Sequence, residues 1–235
     1  MGIYESSPEW KQLRNWEILK NRHAPYLYTR IIETVENEAN RAELLKYVRR
    51  FGNPSRKIVQ MLSVVHSRPV CRTTDNDDLD RKFWRHVDAA SLRRANQNAE
   101  FYAEGMGDSF VYIYIDKKKS PKVQFRLYPA HQVKVEWSET GDVRTARFRT
   151  AAGEVVLDYE AWTMQVGDSA PKTMVYNPLI HYRLDDTAPG WGVDIVEPIF
   201  DVTLEIGNQI CLFLESGYLR AHEQLAIDPG INGDV

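Results

Sequence analysis

The chain has 235 residues, of which 43% are hydrophobic and 27% are charged, and its formal net charge is −3. This composition can bury a substantial core, either in one large domain or in a domain with an appendage. The slight acidity argues against a general affinity for nucleic acid or for anionic membranes. The two cysteines, Cys71 and Cys211, offer neither a disulfide framework nor a metal-binding pair, and they suit a reducing intracellular setting. The sequence has no secretory signal, and no apolar run approaches the roughly 20 residues of a membrane span.

Residues 1–105 predict a mostly helical section. The first clear boundary is Gly52-Asn53-Pro54, which is typical of the end of a helix. The next segment, PSRKIVQMLSVVHSRP, opens with proline. Its spacing places four apolar residues on one helical face: Ile58, Met61, Leu62 and Val65.

The end of this section predicts a loop, a long helix and a turn. The polar stretch TTDNDDLD predicts the loop, and RKFWRHVDAASLRRANQNAEFYAEG predicts one long helix that ends at Gly105. GMGD, residues 105–108, runs from helix into strand, which is the reverse of the order in a nucleotide-binding loop. We therefore interpret it as a helix C-cap and a tight turn.

Residues 108–184 predict an antiparallel meander. SFVYIYI is rich in β-forming residues, while VQFRLYP and QVKVEW alternate apolar and polar positions. SETGDV and AAGE predict turns that separate RTARFRT from its neighbouring strands. The basic run DKKKSPK indicates either a solvated hairpin loop or a patch for nucleic acid. With the helical section before it, this region predicts an α+β fold.

The segment from Val193 to Ala226 predicts a long amphipathic helix, introduced by the proline and glycines of PGWGVDIVEP. A continuous helix of about 30 residues would be about 45 Å long. No lysine or arginine occurs between Asp194 and Tyr218, although like charges one turn apart cost roughly 0.2–0.5 kcal/mol each. The acids therefore mark either a solvated face or a surface that repels another polyanion.

Two stripes define this helix when its residues are placed about 100° apart. One stripe is acidic and polar: Asp194, Glu197, Asp201, Glu205, Asn208 and Glu215. The opposite side is apolar: Ile195, Ile199, Val202, Ile206, Ile210 and Phe213. The start is ambiguous, because Asp194 and Glu197 resemble a capping box, whereas Pro198 suits the first helical position with Glu197 as its cap. Gly207 and Gly217 lie inside the helix and indicate close packing against another backbone.

Strong catalytic motifs are absent from the sequence. DNDDLD, residues 75–80, has the carboxylate density of a calcium loop, but Asp80 and His86 stand where that loop needs glycine and glutamate. Asp158 and Glu160 resemble a metal-nuclease pair that lacks its following lysine. The six histidines show no paired ligand spacing. We predict no enzymatic activity, no catalytic residues, no cofactor and no metal site.

The order of these pieces resembles the portal proteins of tailed bacteriophages and related prophages. The resemblance runs from about residue 50 to residue 225. It is carried by NPSRKIVQMLSVVHSRPV, by LRRANQNAEFYAEGMGDSFVYIYID, by FRLYPAHQVKVEW, and by a PGxG turn ahead of a long amphipathic helix. Two departures stand out. Asp194 occupies a region in which family members commonly have serine, and the chain stops where the clip, the returning stem helix, the tunnel loop and the crown would follow. We therefore expect a fragment.

The resemblance implies a structural subunit of a ring of about twelve copies, present in the virion at the capsid vertex and assembled in the host cytoplasm. Double-stranded DNA would pass through the ring without tight binding. Further partners would be a terminase-type packaging motor, the head–tail connector, and capsid or scaffold protein, with no membrane. Residues 1–190 would form the wing, residues 191–226 a stem-type helix, and residues 227–235 the start of a clip-like segment.

The resemblance also suggests roles for individual residues. The residues expected to face the DNA channel are Glu197, Asp201, Glu205, Asn208 and Glu215. Those expected to form the hinge or to pack against neighbouring subunits are Pro189, Gly190, Gly192, Gly207 and Gly217. Two alternatives remain open: a metal-dependent nucleic-acid enzyme that uses acids around residues 75–80 or 158–160, and a head–tail adaptor that has no contact with DNA.

Overall fold

The computed structural model describes residues 8–20, 53–67, 76–184 and 190–196, together with ten single residues at 38, 42, 198, 199, 202, 205, 209, 212, 213 and 216. Within these residues the fold is α+β, with helices first and antiparallel sheets after them, as the sequence predicts. The helices are α1 (Pro8–Lys20), α2 (Pro54–Leu62), α3 (Asp77–His86) and α4 (Ala89–Met106), with a 3₁₀ turn at Val65–Ser67. None of the described helices is long and apolar enough to cross a membrane.

α2 begins where the sequence places a helix start. Asn53 is the N-cap, and its side chain accepts a hydrogen bond from the Arg56 N–H at 2.9 Å. Pro54 follows at a position where a helix needs no N–H donor. The buried side of α2 consists of Ser55 and Val59.

The single helix predicted over residues 81–105 is wrong, because the chain breaks between α3 and α4. Asp88 has an extended backbone, and its carboxylate accepts the Ser91 N–H at 2.7 Å. The Ser91 N–H has no acceptor inside α4, and the Asp88 cap provides one. The cap therefore favours the start of a new helix at Ala89 over the continuation of α3. Asn76 caps α3 in the same way, so residues 77–80 of the predicted polar loop instead form the first turn of α3, while residues 73–75 lie outside the described residues.

The turn predicted at GMGD is confirmed one residue beyond the predicted end of the helix. α4 runs through Gly105 to Met106, and Gly107 is its C-cap, with φ of +84°. This backbone conformation is readily open to glycine and costs other residues energy.

Two antiparallel sheets follow the turn. Their strands are β1 (Asp108–Ile115), β2 (Val123–Pro129), β3 (Val133–Trp137), β4 (Val143–Thr150), β5 (Gly153–Asp158), β6 (Thr163–Val166), β7 (Lys172–Thr173) and β8 (Leu179–Arg183). The strand order is β2-β1-β8 in the first sheet and β3-β4-β5-β6-β7 in the second. The meander prediction is confirmed for the second sheet. The region as a whole is not a single meander, because β8 pairs with β1, with Asp108 opposite Arg183. DKKKSPK forms the β1–β2 connection.

Two clusters of buried side chains form most of the core. The sheet cluster lies between the sheets and includes Phe110, Phe148 and Leu157. The helix cluster includes Leu19 from α1 and Val59 from α2. The two clusters meet at the junction between α4 and β1, and their packing positions this junction.

His131 generates a prediction for stability against pH. Its ring packs 4.7 Å from Trp16, and burial lowers the pKa of His131, partly opposed by the carboxylate of Glu17. The unfolded chain, with a histidine pKa of about 6.5, therefore takes up this proton more readily than the folded chain. The contribution of His131 to the free energy of unfolding should be constant well above that pH and should fall as the pH drops below it. His131→Gln should flatten this fall.

The measurement is urea unfolding at several pH values from neutral to mildly acidic. His86→Gln, at an exposed histidine of α3, is the matched control and should keep the wild-type slope. Equal slopes for the wild type and the His131 variant would contradict the prediction.

Candidate functional site

The candidate site is the junction at which α4 turns into β1. The Gly107 N–H closes α4 by donating to the Ala103 carbonyl at 2.7 Å, and the Gly107 carbonyl accepts the Leu184 N–H at 3.0 Å. Glu104, in the last turn of α4, presents its carbonyl to the Ile195 N–H at 2.9 Å. The junction therefore holds segments that lie about 80 to 90 residues further along the chain.

Residues 190–196 dock onto this turn through direct contact between two glycine backbones. A Cβ atom built on Gly192 would lie 2.4 Å from the Gly107 carbonyl oxygen, and one built on Gly107 would lie 2.3 Å from the Gly192 carbonyl oxygen. Real Cβ atoms do not approach backbone so closely. Glycine at both positions is therefore a condition for this docking.

Asp108 fastens the docked segment. Its side chain is fully buried, and its Oδ2 accepts the Gly192 N–H at 2.6 Å. Its Oδ1 lies 2.6 Å from Nε2 of His181 on β8. A buried carboxylate needs such partners, because desolvation without them costs several kcal/mol. One side chain thus joins β1, β8 and the segment that follows the PGxG turn.

Trp191 places the segment between the two core clusters. Its ring lies 5.1 Å from the Trp137 ring and 6.3 Å from the Phe110 ring, both close to perpendicular. Such edge-to-face pairs each contribute roughly 0.5–1.5 kcal/mol beyond the burial of their area. Val196, at the end of the segment, is fully buried in the helix cluster.

From Val196 onward the described residues are helical: Val196, Pro198, Ile199, Val202, Glu205, Gln209, Leu212, Phe213 and Ser216. Three of their large apolar side chains are exposed, with Val202 at 59%, Leu212 at 58% and Phe213 at 77%. Glu205 is exposed as well. Leu212 lies seven residues after Glu205, so it shares the acidic side of a regular helix.

The predicted hinge and channel residues fall into two groups. Gly190 has φ of +93° with open space around its Cβ position, and Gly192 contacts Gly107 of its own chain. Glu205 is described as helical and exposed. The others lie outside the described residues: Pro189, Glu197, Asp201, Gly207, Asn208, Glu215 and Gly217.

The acids considered for a metal site make local contacts. Asp158 Oδ1 accepts the N–H groups of Glu160 and Ala161 at 3.0 and 2.9 Å, and Glu160 pairs with Arg144 at 3.0 Å. Across the described part of the chain, no group of three or more histidine, cysteine, aspartate or glutamate residues is arranged to hold a metal ion.

Sequence reasoning missed Asp108 and His181. The aspartate follows the capping glycine directly, which was a usable signal for a polar contact near the turn. Its pairing with His181 spans 73 residues of sequence, and no local pattern reports it.

No protein-family model matches this chain, and no curated protein matches it.

Gly192→Ala should detach residues 190–196 from the α4–β1 turn, because the new methyl group meets the Gly107 carbonyl. We expect a loss of about 1–3 kcal/mol and faster exchange of the Ile195 amide, measured by hydrogen–deuterium exchange. Gly190→Ala is the control. It carries a backbone cost of about 1–2 kcal/mol from positive φ but no clash, so the Ile195 amide should stay protected. Equal loss of protection in both variants would refute the steric argument.

Asp108→Ala should destabilise the protein more than Asp108→Asn. Alanine leaves the Gly192 N–H and the His181 ring without their partner, at a cost of about 1–3 kcal/mol. Asparagine retains one carbonyl oxygen, which can still accept the Gly192 N–H. Urea unfolding followed by tryptophan fluorescence measures both variants. The bridging role would be excluded if alanine were tolerated as well as asparagine.

Proposed function

We propose that this chain is a structural subunit of a portal-type ring that conducts double-stranded DNA at a capsid vertex. The α+β part would be the wing, and the helical residues from Val196 onward would belong to the first stem helix. The observation that carries the proposal is the exposure of Val202, Leu212 and Phe213 on this helical segment. Large apolar side chains on a helix are normally buried against the protein core or against another protein.

The docking of residues 190–196 supports this proposal. A stem has to leave the wing at a fixed angle for many copies to form one regular wall. The glycine contact, the Asp108 hydrogen bond and the packing of the partly buried Trp191 hold the chain just ahead of the helical residues. A firmly docked segment followed by helical residues whose described apolar side chains are exposed suits a subunit that packs against its neighbours in a closed ring.

The acidic stripe supports a channel lining. A channel that lets a duplex slide should carry few cations, because lysine and arginine hold phosphates by releasing counterions. Glu205 is exposed, and the sequence from Asp194 to Tyr218 contains no basic residue. The ring, its DNA cargo, the packaging motor and the head–tail connector are parts of this proposal.

The test is electron microscopy of the purified chain, followed by DNA retention on the assembled particles. Rings with a central hole are expected. Wild-type rings should release linear duplex DNA at about 50 mM salt, whereas the double variant Asp201→Lys/Glu205→Lys should retain it and should release it near 200 mM salt.

The control for this test is Glu139→Lys/Glu154→Lys, which makes the same change in charge at exposed positions of the β3–β4 turn and of β5. These rings should release DNA as the wild type does. The proposal fails if no rings form. The channel assignment fails if both double variants retain DNA equally.

A further inference from the structure

An open apolar groove lies between α3 and the sheet face on which α4 packs. Its volume is about 760 Å³. The strands contribute Val111, Ile113, Val123, Phe125 and Ile180, and α3 contributes Leu79 and Phe83. The lining is mostly apolar, as in sites that bind an apolar partner.

α3 buries little against the described residues of the chain at this groove. Within this helix no residue is buried, and Leu79 and Phe83 are 53% and 43% exposed. A helix of ten residues is marginally stable in water without packing. Further packing on its apolar side would therefore stabilise it.

A second exposed apolar surface lies on α2 and the residues after it. This ridge consists of Ile58, Met61, Leu62, Val64 and Val65, with exposures of 38%, 68%, 47%, 56% and 73%. The sequence predicts one helical face with Ile58, Met61, Leu62 and Val65, but α2 ends at Leu62 and Val65 lies in the 3₁₀ turn. The residues that α2 buries are Ser55 and Val59. Monomeric proteins rarely expose contiguous apolar patches of this kind.

We propose that the ridge of one copy of this chain docks into the groove of a second copy. The two surfaces match in chemistry, because the ridge exposes aliphatic side chains and the groove is lined mostly by apolar ones. They are also complementary in charge at one edge. The ridge side carries Lys57, which is exposed, and the first turn of α3 beside the groove carries Asp77 and Asp78.

The ridge and the groove adjoin on each copy. His66, next to Val65, packs edge-on against Tyr182 of the groove wall, with ring centroids 6.2 Å apart. Two copies related by a two-fold axis would exchange ridges. Copies arranged head to tail would each leave one ridge and one groove free for the next copy. The docking therefore stands apart from the proposed ring and can be tested separately.

The experiment measures self-association by sedimentation velocity for three variants of the full chain. Met61→Glu places a charge on the ridge, and Leu79→Glu places one in the groove. Both side chains are more than half exposed, so folding, checked by circular dichroism, should persist. Each change should raise the dissociation constant by about 100-fold. Val175→Glu, at a 95% exposed residue away from both surfaces, should associate as the wild type does.

Mixing the ridge and groove variants gives the decisive result. The Leu79 variant still has a ridge and the Met61 variant still has a groove, so an equimolar mixture should form one-to-one pairs that neither variant forms alone. The docking is supported if the wild type forms rings or two-fold dimers, if both variants lose this assembly, and if the mixture forms one-to-one pairs. A two-fold dimer of the wild type would at the same time contradict the proposed ring. A monomeric wild type overturns the docking. Rings that persist in both variants also overturn it, but they leave the proposed function standing.

Discussion

The close approach of two backbones, at Gly107 and Gly192, fixes the position of the helical segment relative to the sheets. The contact leaves no room for a Cβ atom on either residue. It brings the Gly192 N–H to the buried carboxylate of Asp108, which also holds His181. The hydrogen bond and the glycine contact depend on each other, because a side chain at either glycine would move the donor away from its acceptor.

A second buried carboxylate, that of Glu100 on α4, uses the same chemistry. Glu100 accepts the N–H groups of Val65 and His66 at 2.6 and 2.9 Å, and so it holds the 3₁₀ turn after α2. Irregular segments lack the regular partners that helices and strands provide for backbone N–H groups. In this fold, Glu100 accepts hydrogen bonds from the 3₁₀ turn after α2, and Asp108 accepts one from the segment of residues 190–196.

Local patterns predicted the features that depend on local chemistry. The proline start of α2, the capping turn at GMGD and the strands of the second sheet follow from capping residues, glycine and period-two alternation. The break at Asp88 was not predicted. The prediction of one long helix followed its helical periodicity and took no account of the Asp88 side chain as a helix cap. The return of β8 to β1, like the contact between Gly192 and Gly107, joins residues far apart in sequence. Periodicity extended the apolar face of α2 to Val65, which lies beyond the end of the helix, and it could not show which side of α2 is buried.

Trp191 packs against both core clusters at once. It lies five residues before Val196, the first described residue of the helical segment. We therefore expect a force applied along that segment to act on the helix cluster and on the sheet cluster together.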